Sequence, residues 1–114
     1  MSETKQILEI LVVNHKEGEE SAHLFDPTEI TIGRKGDNTL VLPSGSVSSH
    51  HARIFLKEGK LYVEDLGSTN GTLLKKKRLK GIHALWPGDE IQIAQFTLFI
   101  RRLRSGGIEE GAAP

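Results

Sequence analysis

Apolar residues in this chain recur at every second position, in short runs broken by turn-forming residues. Ile30 and Ile32 flank Thr31, Leu61 and Val63 flank Tyr62, and Ile91 and Ile93 flank Gln92. Phe96, Leu98 and Ile100 continue the alternation. In an extended strand successive side chains point to opposite faces, so this period gives one apolar face and one polar face. A helix needs apolar groups at every third or fourth position, and no stretch of ten or more residues keeps such a stripe. Residues 7–13 are more continuously apolar and read as a strand buried on both faces. Between the runs lie Glu17-Gly18, Lys35-Gly36-Asp37-Asn38, Glu58-Gly59-Lys60, Asn70-Gly71 and Trp86-Pro87-Gly88-Asp89, each with a residue suited to a tight turn. Many short strands with closely spaced turns predict an all-β sandwich.

Composition narrows the class of function. The 114 residues suit one domain, since folded units commonly run to about 100–150 residues. Fifteen basic and fifteen acidic side chains cancel, which argues against nucleic-acid binding through bulk charge. The absence of cysteine excludes disulfide and thiol chemistry and fits a reducing compartment. The polar start Met1-Ser2-Glu3-Thr4-Lys5-Gln6 has no signal-peptide pattern, and no apolar run approaches the ~20 residues of a membrane helix. A cytoplasmic setting without a membrane partner is the expectation. Residues 104–114 are small and poor in apolar groups, so the folded domain is expected over 1–103, and 104–114 reads equally as a flexible tail or as a linker to an attached C-terminal domain.

Three polar motifs fall between the strands: Ile32-Gly33-Arg34, Ser48-Ser49-His50-His51-Ala52 and Gly67-Ser68-Thr69-Asn70-Gly71-Thr72. Arg34 follows a predicted strand, and its guanidinium offers a planar fork of donors suited to phosphate oxygens. Ser48 and Ser49 carry hydroxyls and backbone N–H groups that can donate to the same anion, although serines most often simply fill turns. Asn70-Gly71 alone reads as a hairpin turn, yet the amide is also suited to hold an extended peptide backbone. A catalytic reading of Ser48, His51 and Asp65 lacks a Gly-x-Ser-x-Gly elbow. His50 and His51 are adjacent and so face opposite ways, which disfavours a shared metal. The remaining histidines are scattered. The expectation is a binding module, not an enzyme, with no cofactor and no metal.

In order and spacing, these motifs resemble the forkhead-associated (FHA) domain, a phosphothreonine-peptide-binding family. The segments that carry the resemblance are residues 32–34, 48–54 and 65–72, joined by Pro87-Gly88-Asp89-Glu90-Ile91-Gln92-Ile93. It covers roughly residues 7–103, and three motifs in order are far more specific than any one of them. The resemblance implies a β-sandwich of about eleven strands with binding loops at one end. It implies that Arg34, Ser48 and Ser49 contact the phosphate, while Thr69 and Asn70 hold the peptide backbone, Asn70 foremost. Gly33, His51 and Gly71 would support the site, His51 by bracing its loops through hydrogen bonds. A preference for phosphothreonine over phosphoserine is implied as well.

Two departures stand out. The position after the motif serine often carries a longer polar or basic side chain in this family, and here it is Ser49, with Lys35 beside Arg34 as a secondary contact. Residues 75–80 hold five basic side chains where the family commonly has an Asn-Gly hairpin. A solvated hairpin tip that discourages edge pairing is preferred for them over a dock for acidic residues or nucleic acid. The expected function is phosphothreonine-dependent protein–protein interaction. The alternative, phosphate-independent scaffolding, self-association or regulation, is disfavoured because Arg34, Ser48 and Asn70 are all present.

Overall fold

The computed structural model describes residues 6–105, and its chain order follows the turn signals. Eleven strands run as β1 (Gln6–Asn14), β2 (Glu19–Phe25), β3 (Glu29–Gly33), β4 (Leu40–Val41), β5 (Ala52–Lys57) and β6 (Lys60–Asp65). They continue as β7 (Leu73–Leu74), β8 (Lys77–Arg78), β9 (Ile82–Leu85), β10 (Glu90–Ile93) and β11 (Phe96–Ser105). One sheet has the order β2-β1-β11-β10-β7-β8 and the other β4-β3-β5-β6-β9. Only the short β3–β4 pairing is parallel; the other strand pairs are antiparallel. The described residues thus form the expected two-sheet, eleven-stranded sandwich. They contain no helix long and apolar enough to cross a membrane.

The alternating residues meet in the middle. Ile30, Ile32, Ile54, Val63, Ile91, Ile93, Leu98 and Ile100 are buried together with Leu8 and Ile10 in one core. Fully burying each such aliphatic side chain contributes about 1.5–3 kcal/mol relative to leaving it in water. The expectation of two buried faces for residues 7–13 is corrected. Leu8, Ile10 and Val12 are buried, while Ile7, Leu11 and Val13 on the opposite face are only half covered. This strand is central in its sheet, between β2 and β11, but its outer face is only partly covered among the described residues. A register shift at Glu9/Ile10 marks a bulge in its pairing with β11.

The final strand reaches Ser105, two residues past the boundary expected from composition. The rest of the expected tail, 106–114, lies outside the described residues. Gln6 pairs with Ser105 at one end of the sandwich, and Asn14 pairs with Phe96 at the other. The turn before Phe96 is tied to the segment joining β4 and β5 by the Ser44 hydroxyl, which donates to Gln95 Oε1 at 3.0 Å. Three loops therefore gather at the end opposite the first and last described residues: 34–39, 42–51 and 66–72.

Candidate functional site

The first loop begins at Gly33, where space is the controlling factor. A Cβ at Gly33 would stand 2.3 Å from the Ser49 carbonyl oxygen and 2.8 Å from Asn38 Nδ2. Only glycine lets the first loop press against the second. Arg34 N–H donates to Ser48 O at 2.9 Å, and Lys35 N–H to Ser49 O at 3.3 Å. The buried Asn38 amide closes the junction by donating to Lys35 O and Ser49 O, both at 2.8 Å. Sequence reasoning took Asn38 only as a turn residue; no periodicity marks a buried amide within a loop.

Backbone pairing fixes where Arg34 leaves the chain, and two further bonds fix its guanidinium. Nη1 donates to Val47 O and Nη2 to Ser49 Oγ, each at 3.0 Å. A guanidinium has five N–H donors. Three therefore remain without a protein acceptor, and no carboxylate lies within ion-pair distance of Arg34 among the described residues. The Ser49 hydroxyl accepts from Arg34 and keeps its own proton to give, and the Ser49 N–H has no protein acceptor among the described residues.

His51 joins the second loop to the third. Its side chain is fully buried. Nδ1 accepts from the Ser48 N–H at 3.0 Å, and Nε2 lies 2.8 Å from Gly71 O. An acceptor Nδ1 requires the tautomer with hydrogen on Nε2, which then donates to Gly71 O. The expectation that both the hydroxyl and the N–H of Ser48 face an anion is corrected here: the N–H is committed to His51. The Ser48 hydroxyl accepts from Thr69 N–H at 3.0 Å and retains its proton as a donor. Both His51 nitrogens are engaged with backbone groups, so Ser48, His51 and Asp65 do not form a nucleophile–base–carboxylate relay. His50 turns to the exposed Asp37 carboxylate at 3.2 Å, away from His51, as adjacency implied. No group of three metal-ligating side chains occurs among the described residues.

The third loop is folded around Asp65. Its Oδ1 accepts from the Ser68 hydroxyl at 2.5 Å and the Thr72 hydroxyl at 2.6 Å, and its Oδ2 from Gly67 N–H and Ser68 N–H at 3.0 and 2.9 Å. Partial burial opposes the carboxylate, but the hydrogen bonds from Ser68 and Thr72 outweigh it and hold the pKa below the ordinary aspartate value. At the rim, the hydrogen bond from His50 likewise holds the Asp37 carboxyl below its ordinary value. Asn70-Gly71 is not a hairpin, because it lies between β6 and β7, which belong to different sheets. Asn70 Nδ2 donates to Ser46 O at 2.9 Å, spanning the second and third loops. Its second N–H and its carbonyl oxygen remain available.

The result is an open cavity of about 330 Å³ lined by Arg34, Ser46, Val47, Ser48, Ser49, Thr69 and Asn70. All five side chains expected to bind are on its wall, with Gly33, His51 and Gly71 directly behind it. Lys35 contributes its backbone to the loop junction, while its exposed side chain helps the His50 hydrogen bond to hold the Asp37 carboxyl below its ordinary value. In the sequence Asp65 stands at the head of the third motif and was given a role only in the catalytic reading. Its spacing of three and seven residues to Ser68 and Thr72 was the available signal for a loop organiser.

Comparison with known proteins agrees with this geometry. The sequence model of the FHA domain matches residues 30–94, more than half of the chain. FhaB of Mycobacterium tuberculosis, an FHA domain-containing protein, is 38% identical over 72 residues, 63% of this chain and 46% of FhaB. The glycogen accumulation regulator GarA of Mycolicibacterium smegmatis is 35% identical over 89 residues, 78% of this chain and 56% of GarA. The chain thus spans about half the length of these relatives. Among solved structures, Mycobacterium tuberculosis EmbR in complex with a low-affinity phosphopeptide superposes with a TM-score of 0.71 at 27% identity, covering 90% of this chain and 26% of EmbR. The sandwich, the three loop motifs in order and the match across them lead to one assignment: this chain belongs to the FHA domain family.

Proposed function

We propose that this domain is a phosphothreonine-dependent protein-interaction module that captures an extended phosphopeptide in the cavity formed by its three loops. One observation carries the reading: Arg34, without a carboxylate partner among the described residues, shares a single cavity with the hydroxyls of Ser48 and Ser49 and the amide of Asn70. A phosphate at neutral pH brings about −1.5 to −2 charge and three strong acceptor oxygens. Arg34 answers with charge-assisted donors worth roughly 1.5–3 kcal/mol per bond. Ser48 and Ser49 add hydroxyl donors, and Ser49 also its N–H. Beyond the phosphate, the unused N–H and carbonyl of Asn70 suit the backbone of an extended chain, with Thr69 beside it. The EmbR complex supports a phosphopeptide as the ligand class, and family membership supports threonine as the phosphorylated residue. Such a module binds and does not turn over its ligand, which accords with His51 being committed to the loop backbones. A kinase-modified partner fits a cytoplasmic setting.

Fluorescence polarisation with degenerate phosphothreonine, phosphoserine and unphosphorylated peptide pools tests the proposal. We expect the phosphothreonine pool to bind at least about tenfold more tightly than the unphosphorylated pool, as one or two charge-assisted bonds require. Equal binding of the two pools would refute it.

A further inference from the structure

The β7–β8 hairpin lays the Arg78 guanidinium over the backbone of Gly71. A Cβ at Gly71 would stand 2.7 Å from Arg78 Nε, 2.9 Å from Cζ and 3.2 Å from Cδ. Backbone conformation favours glycine at Gly71, and the same absence of a side chain gives the Arg78 guanidinium its seat. Its φ is +89°, and the guanidinium rests in the space beside it, from which the exposed Arg78 side chain could swing away. Arg78 is exposed, and no carboxylate lies within ion-pair distance of it among the described residues. Two comparable cations are paired, unlike Arg78. Arg53 is held by Glu29 at 3.0 Å and Glu64 at 2.8 Å, and Lys75 Nζ lies 3.7 Å from Asp89. Two unneutralised guanidinia thus bracket Asn70: Arg34 shares its cavity, and Arg78 covers the next residue.

We infer, resting on the phosphopeptide reading above, that Arg78 is a specificity-determining residue selecting an acidic side chain in the peptide flank that crosses Asn70 and Gly71. An extended peptide advances about 3.3 Å per residue, so a carboxylate a few residues from the phosphothreonine reaches the guanidinium. The fork of donors matches a carboxylate in two-point contact, and its seat against Gly71 keeps it beside Asn70. The basic run at residues 75–80 is thereby divided. Lys75 and Lys76 form the hairpin tip beside Asp89 and Glu90, while Arg78 is returned to the loop end.

The test uses one phosphothreonine peptide with alanine flanks and a set in which aspartate is scanned through the flanking positions. Each is titrated against wild-type protein, Arg78→Gln and Arg78→Glu, with thermal unfolding confirming that the variants fold. We expect aspartate at one or two positions of one flank to tighten wild-type binding about fivefold, the upper range for a solvent-exposed ion pair. That gain disappears in Arg78→Gln while affinity for the alanine-flanked peptide is unchanged, and Arg78→Glu prefers lysine at the same position. An aspartate gain that survives in Arg78→Gln, no gain at any position, or equal weakening of all peptides would overturn the inference. Binding of the alanine-flanked phosphopeptide by wild type separates the two readings: its loss overturns the proposed function as well, and its presence without an aspartate gain overturns only the role of Arg78.

Discussion

The Asp65 carboxylate accepts four hydrogen bonds from Gly67, Ser68 and Thr72, so the loop that presents Thr69 and Asn70 is wrapped around a charge that never faces the cavity. Removing that charge while keeping the shape, as in Asp65→Asn, should cost about 1–3 kcal/mol at neutral pH, because the amide cannot accept at both ends. A carboxyl whose folded-state pKa is depressed contributes stability above its unfolded-chain value and loses it as pH falls through the folded-state value. Ordinary aspartate titrates near 3.8. The stability gap between wild type and Asp65→Asn, measured by urea unfolding, should therefore be full at pH 7 and shrink below about pH 4. A gap that is constant with pH would contradict this role. The placement of Arg34, Ser48, Ser49 and Asn70 on one cavity was legible because their residue types carry recognisable donor chemistry, while Thr69 entered through the family resemblance. Asp65, Asn38 and the committed N–H of Ser48 were not, since their roles are set by partners across loops rather than by any period.

Between β7 and β8 the chain turns in two residues, Lys75 with φ 52° and Lys76 with φ 69°. Both are left-handed, the geometry that two-residue hairpins favour and that Asn-Gly supplies best. Bulky side chains in this region cost about 1–2 kcal/mol each. The double substitution Lys75→Asn, Lys76→Gly should raise stability by about 1–3 kcal/mol and the melting temperature by several degrees. It gives up only the loose 3.7 Å contact to Asp89, and phosphopeptide affinity should be unchanged. An unchanged or lower melting temperature would contradict the strain. At this scale the sequence was most informative about strands: Ile30, Ile32, Leu61, Val63, Ile91 and Ile93 all point into the core. It misled at residues 7–13, where an apolar run suggested two buried faces. Covering of the second face depends on neighbouring layers, which a local run does not encode. Asn70-Gly71 misled in the same way: a turn signal fixes local geometry but not whether the chain then changes sheets.

Across the whole molecule, the first and last described residues, Gln6 and Ser105, and the cavity lie at opposite ends of the sandwich. The rigid core between them keeps three loops in register, joined by His51, Asn70 and Arg34 without need of a ligand. Asp37 and Asp65 both titrate below the ordinary range, so these carboxylates stay ionised from pH 5 to 8. The phosphate, with its second pKa near 6, changes charge inside that window. Peptide affinity should fall by up to about tenfold between pH 7.5 and pH 5, where about nine-tenths of the phosphate is singly charged. Flat affinity across that range, followed by calorimetry in matched buffers, would argue against a phosphate-centred grip.

In the proposed function, Arg34 is the residue on which phosphate binding in the cavity depends most. The most direct test is isothermal titration of one phosphothreonine peptide against wild type and Arg34→Ala, with thermal unfolding recorded for both proteins. The account predicts a folded variant whose affinity is lower by about tenfold to a hundredfold or more, the loss expected for charge-assisted bonds to a dianion. A folded Arg34→Ala protein that binds the phosphopeptide as tightly as wild type would contradict it.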